Sequence, residues 1–600
     1  MLWRLLLGFA AALLVLVAGH LFFPPAKAPV VDVFQRGDQY DRQSGPAEVS
    51  FTVLRDWGTG MEARVALKNT GWKTLHDWTL FLEFPRTISQ INGARVTAWA
   101  GSKYRIDAPE RGQNASIPPG ATIQFTLLAR PGGYGQVPAT VLFNAWVYPQ
   151  VRGRFNYAEA LQKSLYFYEA QRSGKLPDSH RVHWRGDSAL DDGSDAGVDL
   201  SGGYYDAGDH MKFGLPMASA MTMLAWGGIQ YRAGYEQCGE WERLLDTVRW
   251  GTDWLLKAHT KPDELYGQVG RGESDHDYWG PPEQMSMPRP AFKIDAEHPG
   301  SDLAGEAAAA LASSSLLLAR DDPAYSRRLL EHAIQLFDFA VKYPGKYSDA
   351  IPDAQAFYEP DSGCDDERIW AAAWIYRASG RREFLEYAET AYAAKLQGSL
   401  TSWTHTWDDK RYGAAVLLAQ LTGKEIYRMD VAKFLDFWTR GDGDERITYT
   451  PGGLAWLQAW GALRYTANTA FLAFVYSDTV ADEDNVYHRF ARQQIHYILG
   501  DNPARRSYMV GFGANPPRNP HHRAAHGSTE GTIDAPTMNL NVLYGALVGG
   551  PFLPDDFAFS DNRRDERSSE VALDYNAAFT GALARMVMMY GGRPLKQLPP

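Results

Sequence analysis

Asp199-Leu-Ser-Gly-Gly-Tyr-Tyr-Asp-Ala-Gly-Asp-His-Met-Lys-Phe-Gly-Leu-Pro-Met217 is the stretch around which the chain is organised. Asp206 and Asp209 stand three residues apart in a run too rich in glycine for helix or strand. Gly202, Gly203, Gly208 and Gly214 let the backbone turn where a Cβ would clash. Tyr204, Tyr205 and Phe213 set aromatic faces beside the acids. An apolar helix follows through Met217, Met221, Leu224 and Trp226. Two acids held on a loop braced by packed scaffold is a common way to build a site. A solvated Asp-Gly turn is the bland alternative.

The chain has 600 residues, enough for more than one domain. With 45% hydrophobic and 22% charged residues it is globular rather than disordered. A net charge of −11 argues against nucleic acid or an anionic membrane surface as partner and leaves room for a neutral polysaccharide. Cys238 and Cys364 are the two cysteines, too few for a disulfide framework. Residues 1–28 read as a signal peptide or membrane anchor. Arg4 precedes an apolar run of 19 residues, Leu5 to Phe23, and Ala26-Lys27-Ala28 offers a cleavage site. Cleavage gives a secreted protein and retention an anchored one; both export the remainder.

Residues 29–46 read as a polar, proline-bearing tether. From 47 to about 150 the pattern turns to strands at Val49–Val53, Ala63–Leu67, Trp78–Leu82, Ile123–Leu127 and Val141–Phe143, an all-β sandwich. No Ser/Thr/Pro-rich linker follows, so a rigid junction is expected. Beyond Asn156 helical periodicity dominates. Helices are predicted at 157–171, 216–232, 240–259, 302–320, 324–342, 367–378, 381–395, 412–422, 424–440, 453–464, 467–478, 482–499, 538–545 and 569–590. Without alternating strands and helices, a doubly wound sheet is excluded.

Several motifs carry a family resemblance. Lys68-Asn-Thr-Gly71, Asp77-Trp-Thr-Leu80, Phe84-Pro85 and Asn114-Ala-Ser-Ile-Pro-Pro-Gly120 resemble a family 2 carbohydrate-binding module. Such modules bind cellulose through a flat row of exposed Trp. Trp57 fits the first place, and Asn92 and Gln113 fall at the other two. Trp78 matches a buried core Trp. Stacking on sugar needs flat aromatic faces in register, so cellulose binding and a structural role both stay open.

The opening stretch is joined by Ser274-Asp-His-Asp-Tyr-Trp-Gly-Pro-Pro-Glu283, by Tyr508-Met-Val-Gly-Phe-Gly-Ala-Asn-Pro-Pro-Arg-Asn-Pro-His-His-Arg-Ala-Ala-His-Gly527, and by Asp561-Asn-Arg-Arg-Asp-Glu-Arg-Ser-Ser-Glu-Val-Ala-Leu-Asp-Tyr-Asn-Ala-Ala-Phe579. In this order they resemble glycoside hydrolase family 9, mostly cellulases, over residues 155–592. The resemblance implies a mainly α fold, an (α/α)6 barrel of paired helices behind the small β sandwich.

Glycoside hydrolysis needs two carboxyl groups in opposite protonation states. The resemblance implies Glu570 as acid. It opens the apolar helix Val571-Ala-Leu573, whose N-terminus lowers a carboxyl pKa, while nearby Asp561 and Asp565 oppose that. The resemblance implies Asp209 as base and Asp206 as the partner that holds the attacking water. Inversion then requires acid and base ~6.5–9.5 Å apart. His521 and Arg523 are expected to meet sugar hydroxyls, and His276 and Trp279 to line the cleft. Tyr358, Trp403, Trp460 and Tyr575 are candidate stacking platforms, with core packing as the alternative for each. Ser569 stands where relatives often have Asn, and Asp361 where processive members carry a Trp. Asp361, and a chain that stops soon after the last helix, favour internal cleavage.

Asp361-Ser-Gly-Cys-Asp-Asp-Glu367 is an acidic turn entering a helix. Hard oxygen donors suit calcium, and the resemblance implies a structural calcium on Ser362, Gly363, Asp366, Glu367 and Asp408. A monomeric, exported, inverting endo-β-1,4-glucanase is the reading reached. An exo-acting glycosidase on cello-oligosaccharides or aminosugars, and a non-catalytic glycan-binding surface protein, are the alternatives.

Overall fold

The structure is a computed structural model. It describes residues 47–598 apart from 72–73, 101, 110–111, 131–137, 139, 147–154, 443–444 and 482–484. The leader and tether expected within residues 1–46 lie outside the described residues. The chain divides into two units, Met1–Pro149 and Gln150–Pro600.

The first unit is antiparallel. Strands β1 (Ala47–Asp56), β2 (Met61–Asn69), β8 (Thr122–Arg130) and β4 (Thr87–Asn92) form one sheet in the order β1-β2-β8-β4. The second joins β5 (Arg95–Ala100), β6 (Lys103–Asp107), β3 (Leu75–Glu83) and β7 (Ser116–Ile117), with β9 (Thr140–Trp146) also on β3. Alternation puts Ala63, Val65 and Leu67 of β2 inward, where they share a core with Trp78, Leu80 and Ile106 of the other sheet. Trp78 is fully buried, stacked 5.7 Å from Phe125 and donating from Nε1 to the Asn114 carbonyl at 2.7 Å. Strand β4 escaped the sequence reading because, as a sheet edge, it has a polar, mostly exposed pattern, Thr-Ile-Ser-Gln-Ile-Asn.

The second unit contains, among the described residues, twelve helices of twelve residues or more. In chain order they are α1 (Tyr157–Ala170), α2 (Gly214–Gln237), α3 (Trp241–Ala258), α4 (Ser301–Leu318), α5 (Pro323–Lys342) and α6 (Asp365–Ser379), then α7 (Arg382–Lys395), α8 (Arg411–Thr422), α9 (Glu425–Trp438), α10 (Ala462–Thr479), α11 (Val486–Leu499) and α12 (Leu573–Tyr590). The even-numbered helices neighbour one another in turn, α2 to α4 to α6 to α8 to α10 to α12, and α12 returns to α2. Each is backed by an odd-numbered one: α3 on α2, α5 on α4, α7 on α6, α9 on α8, α11 on α10 and α1 on α12.

The sequence explains this division. Helix α4 runs Ala307-Ala-Ala-Ala310 and is buried on nearly every side, whereas α5 buries Leu329, Ala333, Leu336 and Ala340 on one stripe. Small residues bring the buried helices together. A Cβ on Gly227 of α2 would lie 2.9 Å from the Cα of Gly581 in α12, so neither position has room for a larger residue.

Three predicted helices differ. Residues 453–461 form a loop, not a helix, because Gly453 and Gly461 adopt φ of 97° and 64°; the helix starts at Ala462 and runs unbroken to Thr479. Residues 538–545 are irregular. Asn539 donates to the Pro520 carbonyl at 3.1 Å and Asn541 to that of Ala524 at 3.3 Å, side-chain bonds that compete with a helical backbone. The last helix begins at Leu573, so Glu570 lies outside it in an extended conformation.

Candidate active site

Three chain segments are stitched together by backbone hydrogen bonds. Leu573 N–H donates to the Asp206 carbonyl at 2.9 Å, Arg523 N–H to that of Gly208 at 2.9 Å, and His521 N–H to that of Ser569 at 3.0 Å. The loop of 206–211 is closed by Asp206 N–H on the Met211 carbonyl at 3.0 Å. Gly208 is required here, since a Cβ would run into the His521 carbonyl. Asp206, Asp209, His521 and Glu570, far apart in sequence, are thereby gathered into one site.

Glu570 is partly buried. Its amide donates to the Glu566 carbonyl at 3.0 Å, and its carbonyl accepts from Gly549 at 2.9 Å. The exposed Trp460 donates from Nε1 to Glu570 Oε2 at 2.9 Å. Burial pushes the Glu570 carboxyl up to about 8, against the Trp460 bond, with the Asp209 and Glu566 charges adding to the rise. The neighbours that matter are thus Asp209 and Glu566 rather than Asp561. Asp561 accepts from the amides of Arg518 and Asn519 at 2.9–3.0 Å and holds the turn that feeds His521.

Asp206 is buried and Asp209 partly open. Tyr358 donates its hydroxyl to Asp206 Oδ2. Burial first, and the Asp209 charge second, hold the Asp206 carboxyl well above the usual range. Asp209 is raised to about 6 by burial and by Asp275, opposed by Arg523 and His276. Asp206 Oδ1 and Asp209 Oδ1 are each buried without a hydrogen-bond partner in the protein, positions from which a water can be held.

His521 sits beside them as a neutral imidazole. Its Nδ1 donates to the Arg563 carbonyl at 2.7 Å, leaving Nε2 as an acceptor, and burial lowers its pKa to about 4. His522 points away: Nε2 donates to Gln171 Oε1 at 2.6 Å, and Gln171 in turn donates to the Tyr205 and Ala207 carbonyls. It braces the acid-bearing loop from behind.

The remaining expected residues divide. His276 is exposed, its Nδ1 donating to the Gly272 carbonyl at 2.9 Å. Trp279 stands 5.1 Å edge-on to His521 and donates to His526 Nδ1 at 2.6 Å. Arg523 does not open to sugar: it is 2% exposed, paired with Asp275 and laid 5.5 Å over Trp279. Tyr575 is no platform either, being 1% exposed between Ala207, Ala572 and the Arg464 guanidinium. Tyr358 is half-buried, its ring 4.9 Å from Phe213 and 4.8 Å from Trp407, and its hydroxyl is the group bonded to Asp206. Trp403 is partly buried, 5.5 Å from Tyr465, and is not brought to the carboxylates by any bond of its own. Trp460 alone of the four candidates combines an exposed ring with a bond to an acid.

Sequence reasoning passed over Asp275, although it lies inside a quoted motif. Its 1% exposure and its bond to Arg523 are tertiary facts.

The acidic turn is assembled as a unit. Ser362 Oγ donates to Asp408 Oδ1 at 2.9 Å, Ser362 N–H to the same oxygen at 3.2 Å, and Lys410 N–H to Asp366 Oδ2 at 2.7 Å. Gly363 takes φ of 94°. Both carboxylate oxygens of the fully buried Glu367 lack a partner. Among the described residues, however, no three acidic, histidine or cysteine side chains stand ready-converged on one point. Cys238 and Cys364 are free.

Both units of the chain resemble known proteins. Residues 47–146 match the model of a cellulose binding domain. Endoglucanase B of Cellulomonas fimi is 54% identical over 452 residues, 74% of this chain but 43% of its own length. Endoglucanase A of Bacillus pumilus is 51% identical over 73% of this chain and 67% of its own. The endoglucanase of the termite Nasutitermes takasagoensis superposes with a TM-score of 0.69 at 47% identity, over 72% of this chain and 99% of that one. Endoglucanase CelQ of Clostridium thermocellum, solved with cellobiose and cellotriose, gives 0.69 at 43% identity over 74% of this chain and 73% of that one. Residues 157–583 match the model of glycosyl hydrolase family 9, and the chain belongs to that family.

Proposed function

We propose that the protein is an inverting endo-β-1,4-glucanase acting on cellulose and related glucans. One observation carries the reading: backbone hydrogen bonds join the loop of Asp206 and Asp209 to the segment of Glu570, so that three carboxyls share one site. Burial and neighbouring charges raise Glu570 to about 8 and Asp209 to about 6. Between those values the first keeps its proton and the second has lost it, the division of labour that glycoside hydrolysis requires; inversion is what the family resemblance implies. Glu570 gives its proton to the departing glycosidic oxygen as the bond to the anomeric carbon breaks. Water, held at Asp206 and Asp209, attacks that carbon from the opposite face and passes a proton to Asp209. An exposed ring and a bond to the acid support Trp460 as a sugar-stacking platform. The names of the relatives support internal cleavage. In support of an (α/α)6 barrel, the even-numbered helices follow one another in a closed circuit, each backed by an odd-numbered partner. The exposed Trp57 supports glucan binding by the β unit, while Asn92 and Gln113 are exposed but not aromatic. The apolar run Leu5–Phe23 supports export.

Hydrolysis of cellopentaose followed by NMR should show the new reducing end first in the α form. Carboxymethyl-cellulose should lose viscosity faster than reducing ends accumulate. A β product excludes inversion, and slow viscosity loss excludes internal cutting.

We also propose a structural calcium on Ser362, Gly363, Asp366, Glu367 and Asp408. Two buried, unpartnered oxygens on Glu367 and an all-oxygen donor set support it. The ion would neutralise carboxyls that burial otherwise holds protonated, Asp366 up to about 7. Chelation should lower the melting temperature, by a stability loss of about 3 kcal/mol if the ion is present near 100 Kd. Glu367→Gln should be less stable and nearly indifferent to chelator. An unchanged wild-type melting curve rules the ion out.

A further inference from the structure

We propose that Asp275 and Arg523 form a buried charge pair that positions Asp209 and sets the pH above which it acts; this rests on Asp209 being the base. Asp275 lies within a short helical turn, Gly272–His276, and is 1% exposed. One of its oxygens pairs with Arg523 Nη1. The other accepts from the amide of His210, the residue after Asp209, at 3.2 Å. Arg523 reaches the same loop from the other side, its own amide donating to the Gly208 carbonyl, the residue before Asp209, at 2.9 Å. The two residues therefore grip the chain immediately before and after Asp209, and their side chains lock to each other.

The pair is shielded, since Arg523 is 2% exposed and its guanidinium is covered by Trp279 at 5.5 Å. Shielded charges act strongly on a neighbour, and removing one leaves the other uncompensated. The charged and titratable groups around Asp209 are Asp206 on its own loop, Asp275 and His276 on the 272–276 turn, Arg523 and the neutral His521 on the 521–523 segment, and Glu570. His276 Nδ1 lies 3.8 Å from Asp275, and its ring, like Arg523, favours the ionised form of Asp209. Within this set Asp275 favours the protonated form of Asp209 and Arg523 the ionised form. Behind the loop, Arg289 donates to the His210 carbonyl at 2.7 Å and to Asp192, fixing the backbone without facing the carboxyl. Because Asp206 and Asp209 titrate together, the observable is the acid limb of the pair.

A brace alone and a charge pair predict different results. Loss of a brace lowers stability and rate for either variant and leaves the shape of the pH profile unchanged. Loss of one charge moves the acid limb, and the two variants move it in opposite directions. The test is kcat/KM against pH on cellopentaose for D275N, R523Q and D209N in the full chain, with folding checked by near-UV circular dichroism. D275N removes the charge that raises Asp209, so the acid limb should fall by about one pH unit; R523Q should raise it by about one unit. If one variant does not fold, the direction of the other decides. Any other pattern, including unmoved limbs or shifts of the same sign, overturns the proposal. D209N separates the two levels: retained activity removes Asp209 as base, whereas an inactive D209N with unmoved limbs in the other two sinks only the charge pair.

Discussion

Glu570→Gln should lower kcat on carboxymethyl-cellulose by about a thousandfold, while affinity for cello-oligosaccharides changes little. The amide matches the carboxyl in shape and still accepts the Trp460 hydrogen bond made at 2.9 Å, so the site's geometry is kept. What is lost is a proton donor. Leaving-group chemistry gives a sharp control. A dinitrophenyl cellobioside expels a stable phenolate that needs no protonation, so Glu570→Gln should retain most of its rate on that substrate. Equal losses on both substrates would mean that Glu570 is not the acid. The wild-type pH profile follows from the same pair. Asp209 must be ionised, so activity should rise through about pH 6; Glu570 must be protonated, so it should fall through about pH 8. In the variant the alkaline limb should disappear.

How much of this was legible in the sequence depended on whether a residue acts through its neighbours in the chain or in space. Helix positions were readable because apolar periodicity is local, and helices such as Pro323–Lys342 appear within a residue of their expected start. The misreadings cluster around the site. At 453–461 and 538–545 the composition suits a helix, but glycine dihedrals and asparagine side-chain bonds override it. The start of the last helix was misplaced by Glu570 itself, which takes an extended conformation so that its carbonyl can meet Gly549. The functional carboxylates were visible through motifs, whereas their proton affinities depend on burial and on Asp275, Tyr358 and Trp460, which no local pattern brings together. Arg523 and Tyr575 show the opposite error. Both residue types suit sugar contact, yet each is buried against partners from other segments.

Gly208→Ala should be the most damaging single methyl that can be added to the acid-bearing loop. Gly208 is not among the positive-φ residues, so alanine's backbone preferences are not the obstacle. The obstacle is space: the new Cβ would overlap the His521 carbonyl oxygen, a backbone atom that no side-chain rotation can move. Relief requires the 206–211 loop and the 519–526 segment to part, which lengthens the Arg523 N–H to Gly208 carbonyl bond of 2.9 Å. The same movement pulls on the Leu573 N–H to Asp206 carbonyl bond, also 2.9 Å, through which the loop is tied to the segment bearing Glu570. Overpacking of this kind costs about 2–3 kcal/mol of stability. A displacement near 1 Å between Asp209 and the acid should cost a further factor of about a hundred in kcat. Gly186→Ala is the control. Its Cβ would meet one side-chain carbon, Glu283 Cγ, at 3.2 Å and no backbone atom, a contact relieved by a shift of a few tenths of an ångström, so stability should change by no more than about 1 kcal/mol. If Gly208→Ala melts and turns over like Gly186→Ala, the backbone contact between these two segments does not hold the carboxylates in register, and the site must owe its alignment to side chains alone.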